Sequence, residues 1–185
     1  MITKIFAVAI IPFFVLSANA NCLNNRCFDK EIIIDNQQVP IAGFANLKYY
    51  FFDVYDAVYY SSDTQPVSKS SPDQIRVLTI YYKISFNKED FAKAGDDQIN
   101  KFIDVNINDF KSALETLNAA YVDVKEGDSY TLQYIPEKGT SLILNNNKVL
   151  VTVPGAEFAK LYFRIWLDKE NPIDEELRNN LLKTR

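Results

Sequence analysis

Histidine is absent from the 185 residues, and cysteine occurs only as Cys22 and Cys27. Two thiols cannot complete the usual four-ligand zinc set, so neither a metal nor another cofactor is expected. Lys and Arg form no cluster, and the net charge is −4, or −5 once the single positive charge of Lys4 is removed. That balance excludes a nucleic-acid partner, which needs a basic footprint. Beyond residue 20 no apolar run reaches the roughly 20 residues of a membrane helix, so the mature chain is expected to have no transmembrane segment. Internal repeats, low-complexity tracts and domain linkers are also lacking.

What is present begins with an export signal. Lys4 supplies a positive start, Ile5 to Leu16 are apolar, and Ala18-Asn19-Ala20 has the small-x-small pattern of a cleavage site. Residues 1–20 are therefore expected to be removed, leaving 165 residues (185 less 20) for one domain with one sizeable core. The expected location is the periplasm of a bacterium, with secretion as the alternative; Asn-, Lys- and Ile-rich usage suggests low genomic GC. In such an oxidising compartment the C-x4-C pair Cys22 and Cys27 reads as a small local disulfide. Residues 21–38 form a tail carrying that bridge and one short strand, and residues 39–185 form the main domain.

Glu31 to Asp35 is a short β-branched run, and Leu47 to Ser61 is an aromatic-rich strand pair or bent strand. Tyr49, Tyr50, Phe51 and Phe52 are consecutive rather than alternating, which predicts cover on both faces. Arg76 to Phe86 alternates cleanly, with Leu78, Ile80 and Tyr82 on one side and Val77, Thr79 and Tyr81 on the other. Asn87 with Asp90 starts a helix carrying Phe91, Ala94, Ile99 and Phe102 inward. A second helix from Asn106 or Asn108 repeats apolar residues at Ile107, Phe110, Leu114, Leu117 and Tyr121. The period then returns to two, with turns at Gly127-Asp128, Gly139-Thr140 and Asn145 to Asn147. Ala156 to Asp168 is a third helix, on which Trp166 reads as packing, and Pro172 opens a fourth. Strands, helices, strands, helices is the order of an α+β protein with an antiparallel sheet.

That order, together with Gly127-Asp128, Gly139-Thr140, Ile165-Trp166-Leu167 and Pro172-Ile173-Asp174, resembles the chalcone isomerase-like family. The earlier run Val54-Tyr55-Asp56-Ala57-Val58-Tyr59-Tyr60 fits the family's opening strands. The resemblance spans about Val39 to Leu182. It implies an open-faced β-sandwich, a curved antiparallel sheet with helices packed on one face and a ligand cleft between them.

The family holds both isomerases and binding proteins, so function must come from the site. The isomerases use an Arg for the phenolate and a Tyr with hydroxyl groups for the ketone, donors aimed at developing charge. Here the Arg position holds Leu47, with Lys48 beside it; the two Thr positions hold Tyr55 and Arg164; only Tyr82 matches. The resemblance therefore implies a non-catalytic binder of a fatty acid or similar lipophilic carboxylate. Tyr82 and Arg164, helped by Lys48 and Tyr55, would grip the carboxylate, with Arg76 a weaker candidate cation. Tyr49, Phe51, Val54, Val58, Leu78 and Ile80 are expected to line the tunnel, with Phe91, Phe110, Leu114 and Phe158 from the helices. The alternatives are an isomerase (an intramolecular lyase) acting on a chalcone-like enone with Tyr82 catalytic, and an envelope accessory protein whose cleft is filled.

Overall fold

The computed structural model describes residues 21–23, 25–63 and 65–183. The expected signal segment, residues 1–20, lies outside the described residues. Among the described residues nine strands and four α-helices follow one another: β1 (Asn21–Leu23), β2 (Arg26–Phe28), β3 (Glu31–Ile34), β4 (Gln37–Tyr49), β5 (Phe52–Ser61), β6 (Arg76–Tyr82), α1 (Lys88–Ile99), α2 (Lys111–Asn118), β7 (Ser129–Ile135), β8 (Gly139–Leu144), β9 (Lys148–Val153), α3 (Ala156–Leu167) and α4 (Glu175–Leu181). Strands β3 to β9 form one sheet in chain order, every neighbour antiparallel. The sheet curls into a half-barrel with the helices packed against it.

Local chemistry sets the turns. Asp35-Asn36 joins β3 to β4 with φ of 52° and 61°, and Asn145-Asn146 leads from β8 to β9 with φ of 51° and 59°. Both are residue types that tolerate the left-handed region. At the start of α1 the Asp90 carboxylate accepts from the Asn87 N–H at 3.0 Å, so the capping signal acts as read. Pro172 does not open the last helix. Asp174 caps α4 instead, its carboxylate accepting from the Leu177 N–H at 2.7 Å. Phe102 lies beyond α1, which ends at Ile99, and a 3-10 turn over Ile107–Phe110 precedes α2.

Period-two alternation sorts the core into two layers. Tyr55, Ala57 and Tyr59 of β5, with Leu78, Ile80 and Tyr82 of β6, meet the helices. The opposite parity, Val58, Tyr60 and Val77, packs with Phe28 in a second cluster beneath the β1–β2 hairpin. A disulfide joins Cys22 to Cys27 across that hairpin. The 38/39 domain boundary falls inside β4, and β3 is the first strand of the main sheet.

The aromatic run is not covered on both faces. Tyr49 pairs with Phe52 across a two-residue turn of Tyr50 and Phe51, so the four rings form an exposed hairpin tip rather than a strand covered on both faces. A turn breaks strand parity, so the consecutive aromatics mark the turn itself and not a strand buried on both faces.

Candidate functional site

Between the sheet and α1 and α3 lies an apolar cavity of about 590 Å³. That is within the ordinary range for a small-molecule site. Val54, Leu78, Ile80, Leu132 and Leu142 of strands β5 to β8 form its floor. Phe86, Phe91 and Ala94 come from the α1 side, and Ile165 and Trp166 from α3. Ser85, Asp90, Ala94 and Ile173 are lining residues that are also exposed, and they mark the mouth.

Away from Ser85 and Asp90 at the mouth, five tyrosines bring hydroxyl groups to the lining. Tyr55 and Tyr82 are register partners on β5 and β6, their ring centroids 6.1 Å apart. Tyr82 sits among the rings of Tyr55, Phe86, Phe91 and Tyr130. Tyr121 and Tyr162 satisfy each other, hydroxyl to hydroxyl, at 2.7 Å. The Tyr130 hydroxyl donates to the Val122 carbonyl at 2.7 Å and accepts from its N–H at 2.9 Å. Tyr55 is different: its buried hydroxyl has no hydrogen-bond partner among the described residues. A buried hydroxyl without a partner is costly, and such exceptions call for a reason.

Burial is the main cause that raises the pKa of Tyr55, Tyr82, Tyr121 and Tyr162 above the ordinary value. For Tyr55 the nearby Trp166 side chain offsets part of the rise without completing a hydrogen bond. Each group binds its proton more tightly folded than unfolded, so it contributes stability that is fully present below about pH 10 and is lost as pH rises through the folded value. We therefore expect the melting temperature to fall above about pH 10. By ultraviolet difference absorbance these four should ionise only as the fold gives way; smooth ionisation of all 11 tyrosines near pH 10 at constant melting temperature would contradict this.

The candidate cations are elsewhere. Asp90 is the one charged side chain among the described residues lining the cavity, and neither Lys nor Arg lines it. Arg164, expected to grip a carboxylate, donates from Nη1 and Nη2 to both oxygens of Asp104 at 3.1 and 2.9 Å. Its Nε donates to Asp168 at 2.6 Å, and its guanidinium lies 4.2 Å from the Phe102 ring centroid. In turn the Asp104 carboxyl is held below its usual range, chiefly by the Arg164 hydrogen bonds. Arg164 is thus a structural clamp between α3 and the loop after α1. Lys48 is exposed, 3.8 Å from Asp53, and Arg76 is buried beside Asp63 at 3.8 Å. Leu47 pairs with Tyr55 and lines the cavity, and the register shifts just after it, between Leu47 and Lys48.

Of the expected tunnel residues, Val54, Leu78, Ile80 and Phe91 do line the cavity. Tyr49 and Phe51 are exposed, and Val58 faces the second cluster. Phe110, Leu114 and Phe158 pack in the helix-side core away from the lining. Trp166, read as packing, is part of the wall. Its i, i+4 relation to Tyr162 on α3 was the signal, since those positions share a helix face. Tyr130 could have been found from its parity with Leu132 on β7.

The fold is thus that of an α+β protein, an antiparallel half-barrel closed by helices over an apolar, tyrosine-bearing cavity. The model of the chalcone isomerase-like family matches residues 21–183, and the chain belongs to that family. Among solved structures it is similar to a fatty-acid binding protein of Arabidopsis thaliana, at TM-score 0.63 and 15% identity, covering 85% of this chain and 92% of that one. At that identity the likeness establishes the fold. A search of curated proteins by sequence finds no match.

Proposed function

We propose that this protein is a non-catalytic carrier or sensor of a lipophilic small molecule, held in the cavity with its polar end uncharged. The observation that carries the reading is an apolar cavity of about 590 Å³ in which, among the described residues, the buried Tyr55 hydroxyl has no partner and no basic residue is in the lining. An apolar tail gains from that lining about 25 cal/mol for each Å² it removes from water. An ionised carboxylate would be an unpaired buried charge there, which is prohibitively costly. A hydroxyl, carbonyl, ester or protonated acid can instead meet Tyr55 or Tyr82. The fatty acid bound by the Arabidopsis neighbour supports an acyl ligand, and the missing cation argues for taking it up in neutral form. The same lack weighs against the isomerase, because a phenolate or enolate would meet no positive side chain.

Export to the periplasm is part of this proposal. Its support is the signal-like pattern of residues 1–20 and the Cys22–Cys27 disulfide, a bond that persists in oxidising compartments.

Trp166, the single tryptophan, lies in the cavity wall and reports occupancy by its fluorescence. Titration of delipidated protein with a long-chain alcohol is expected to give a saturable change. Tyr55→Phe and Tyr82→Phe should each weaken binding by roughly fivefold, the worth of about 1 kcal/mol for one hydrogen bond. A fatty acid should bind more tightly as pH falls toward the ordinary carboxyl range of about 4 to 5. No saturable response, or fatty-acid binding that strengthens with rising pH, would overturn the reading.

A further inference from the structure

The tip of the β4–β5 hairpin carries four consecutive aromatic side chains out of the fold. Tyr49, Tyr50, Phe51 and Phe52 are 68%, 80%, 96% and 73% exposed. Single exposed apolar residues are ordinary, but a contiguous patch marks an interaction site. The backbone points the same way. Tyr50 holds φ of 53° at the first position of the two-residue turn, where Gly, Asn or Asp is favoured. The turns after β3 and β8 follow that preference with Asp35-Asn36 and Asn145-Asn146. At the β4–β5 tip a bulky ring is kept against it, which signals a use for the ring.

Charge narrows the partner. At the base of the tip Lys48 lies 3.8 Å from Asp53, and Lys83 lies 3.8 Å from Asp53 and 2.9 Å from Asp56. These charges compensate one another, and the whole chain is acidic at −4. Neither an anionic membrane nor a charged protein surface would be drawn to such a tip. Amphipathic rings on a protruding, locally neutral turn suit the headgroup level of a zwitterionic bilayer, where Tyr and related rings concentrate.

Position supplies the remaining argument. Leu47 pairs with Tyr55 and both line the cavity, so the tip starts two residues beyond its wall, about 7 Å along the strand. The exposed mouth residue Ser85 follows the end of β6, at the same end of the sheet.

We infer that the Tyr49–Phe52 tip docks this protein on the surface of a zwitterionic lipid bilayer with the cavity mouth toward the lipid. The inference rests on the lipophile-binding reading and gives the ligand a path that avoids open water.

The test places Phe51→Trp in a Trp166→Phe background of the full chain and adds phosphatidylcholine vesicles with brominated acyl chains. The tip Trp should shift to the blue and be quenched, equally at low and high salt. Val149→Trp in the same background should stay unquenched; Val149 is 59% exposed on β9, four inter-strand steps from β5. Tyr50→Gly/Phe51→Asn suits a turn in which only the first central residue has positive φ, so it should fold at least as stably yet lower vesicle partitioning at least about tenfold. An unquenched tip Trp would overturn the docking. So would quenching that needs anionic lipid and vanishes in salt, or tip-dependent self-association without vesicle binding. The Trp166 titration of the unaltered protein is read separately. A saturable lipophile response without tip insertion leaves the cavity reading standing, and insertion without that response removes it.

Discussion

Replacing Arg164 by Met is expected to destabilise the protein by about 3 kcal/mol while leaving affinity for a neutral lipophile unchanged. The figure belongs to the buried half of the clamp. Arg164 and Asp168 are both buried, and removing the guanidinium leaves the Asp168 carboxylate with only the Glu170 and Asn171 N–H groups, each at 2.9 Å. The Asp104 half is exposed on the acid side and adds little once solvent screens it. For a chain of this length about 3 kcal/mol lowers the melting temperature by roughly 6 to 12 °C. Arg164→Met/Asp168→Asn should recover part of the loss, because no charge is then left without its partner. Thermal unfolding and the Trp166 titration give the two readouts. A carboxylate-gripping Arg164 would show the reverse pattern, with lost affinity and a small change in melting temperature.

Gly43→Ala is expected to be about as damaging, for a purely steric reason. A Cβ at Gly43 would collide with the backbone carbonyls of Asn180 and Leu181 at the end of α4. Backbone cannot swing aside as a side chain can, so α4 must lift from β4. Leu177 and Leu181, both buried, would lose their packing. Overpacking of this kind costs about 3 kcal/mol. Hydrogen exchange should rise selectively over Glu175–Leu181. The same change at Gly95 makes the contrast. There a Cβ would meet the Tyr162 hydroxyl at 3.4 Å and Ile165 Cδ1 at 4.0 Å, ordinary contacts. Within α1 the Gly to Ala exchange also favours the helix by up to about 1 kcal/mol. Gly95→Ala should therefore be neutral or stabilising. If both variants melted alike, close backbone approach would not be what Gly43 provides.

Some of this was readable from local pattern. Alternation on β6 sorted Leu78, Ile80 and Tyr82 from Val77, Thr79 and Tyr81, and the structure puts the first set toward the helices. Tyr82 was picked out by its match to the family's Tyr, and the parity of β6 turns it to the helix side. Arg164 could not be placed, since its partners lie 4 and 60 residues away and only folding brings the Asp104 loop to α3. Tyr49 and Phe51 were misassigned because their lack of alternation was read as cover on both faces, whereas it marks a turn at Tyr50 and Phe51.

Composition, periodicity and turn chemistry, all local properties, determined the α+β class and the order of elements, while the family was legible only as a resemblance of motifs spread over most of the chain. Which aromatic rings were buried, which hydroxyl lacked a partner and which cation was already engaged depended on contacts between distant segments. Those were decided only when the sheet curled and α1 and α3 closed over it, because a cavity has no representation in any single stretch of chain.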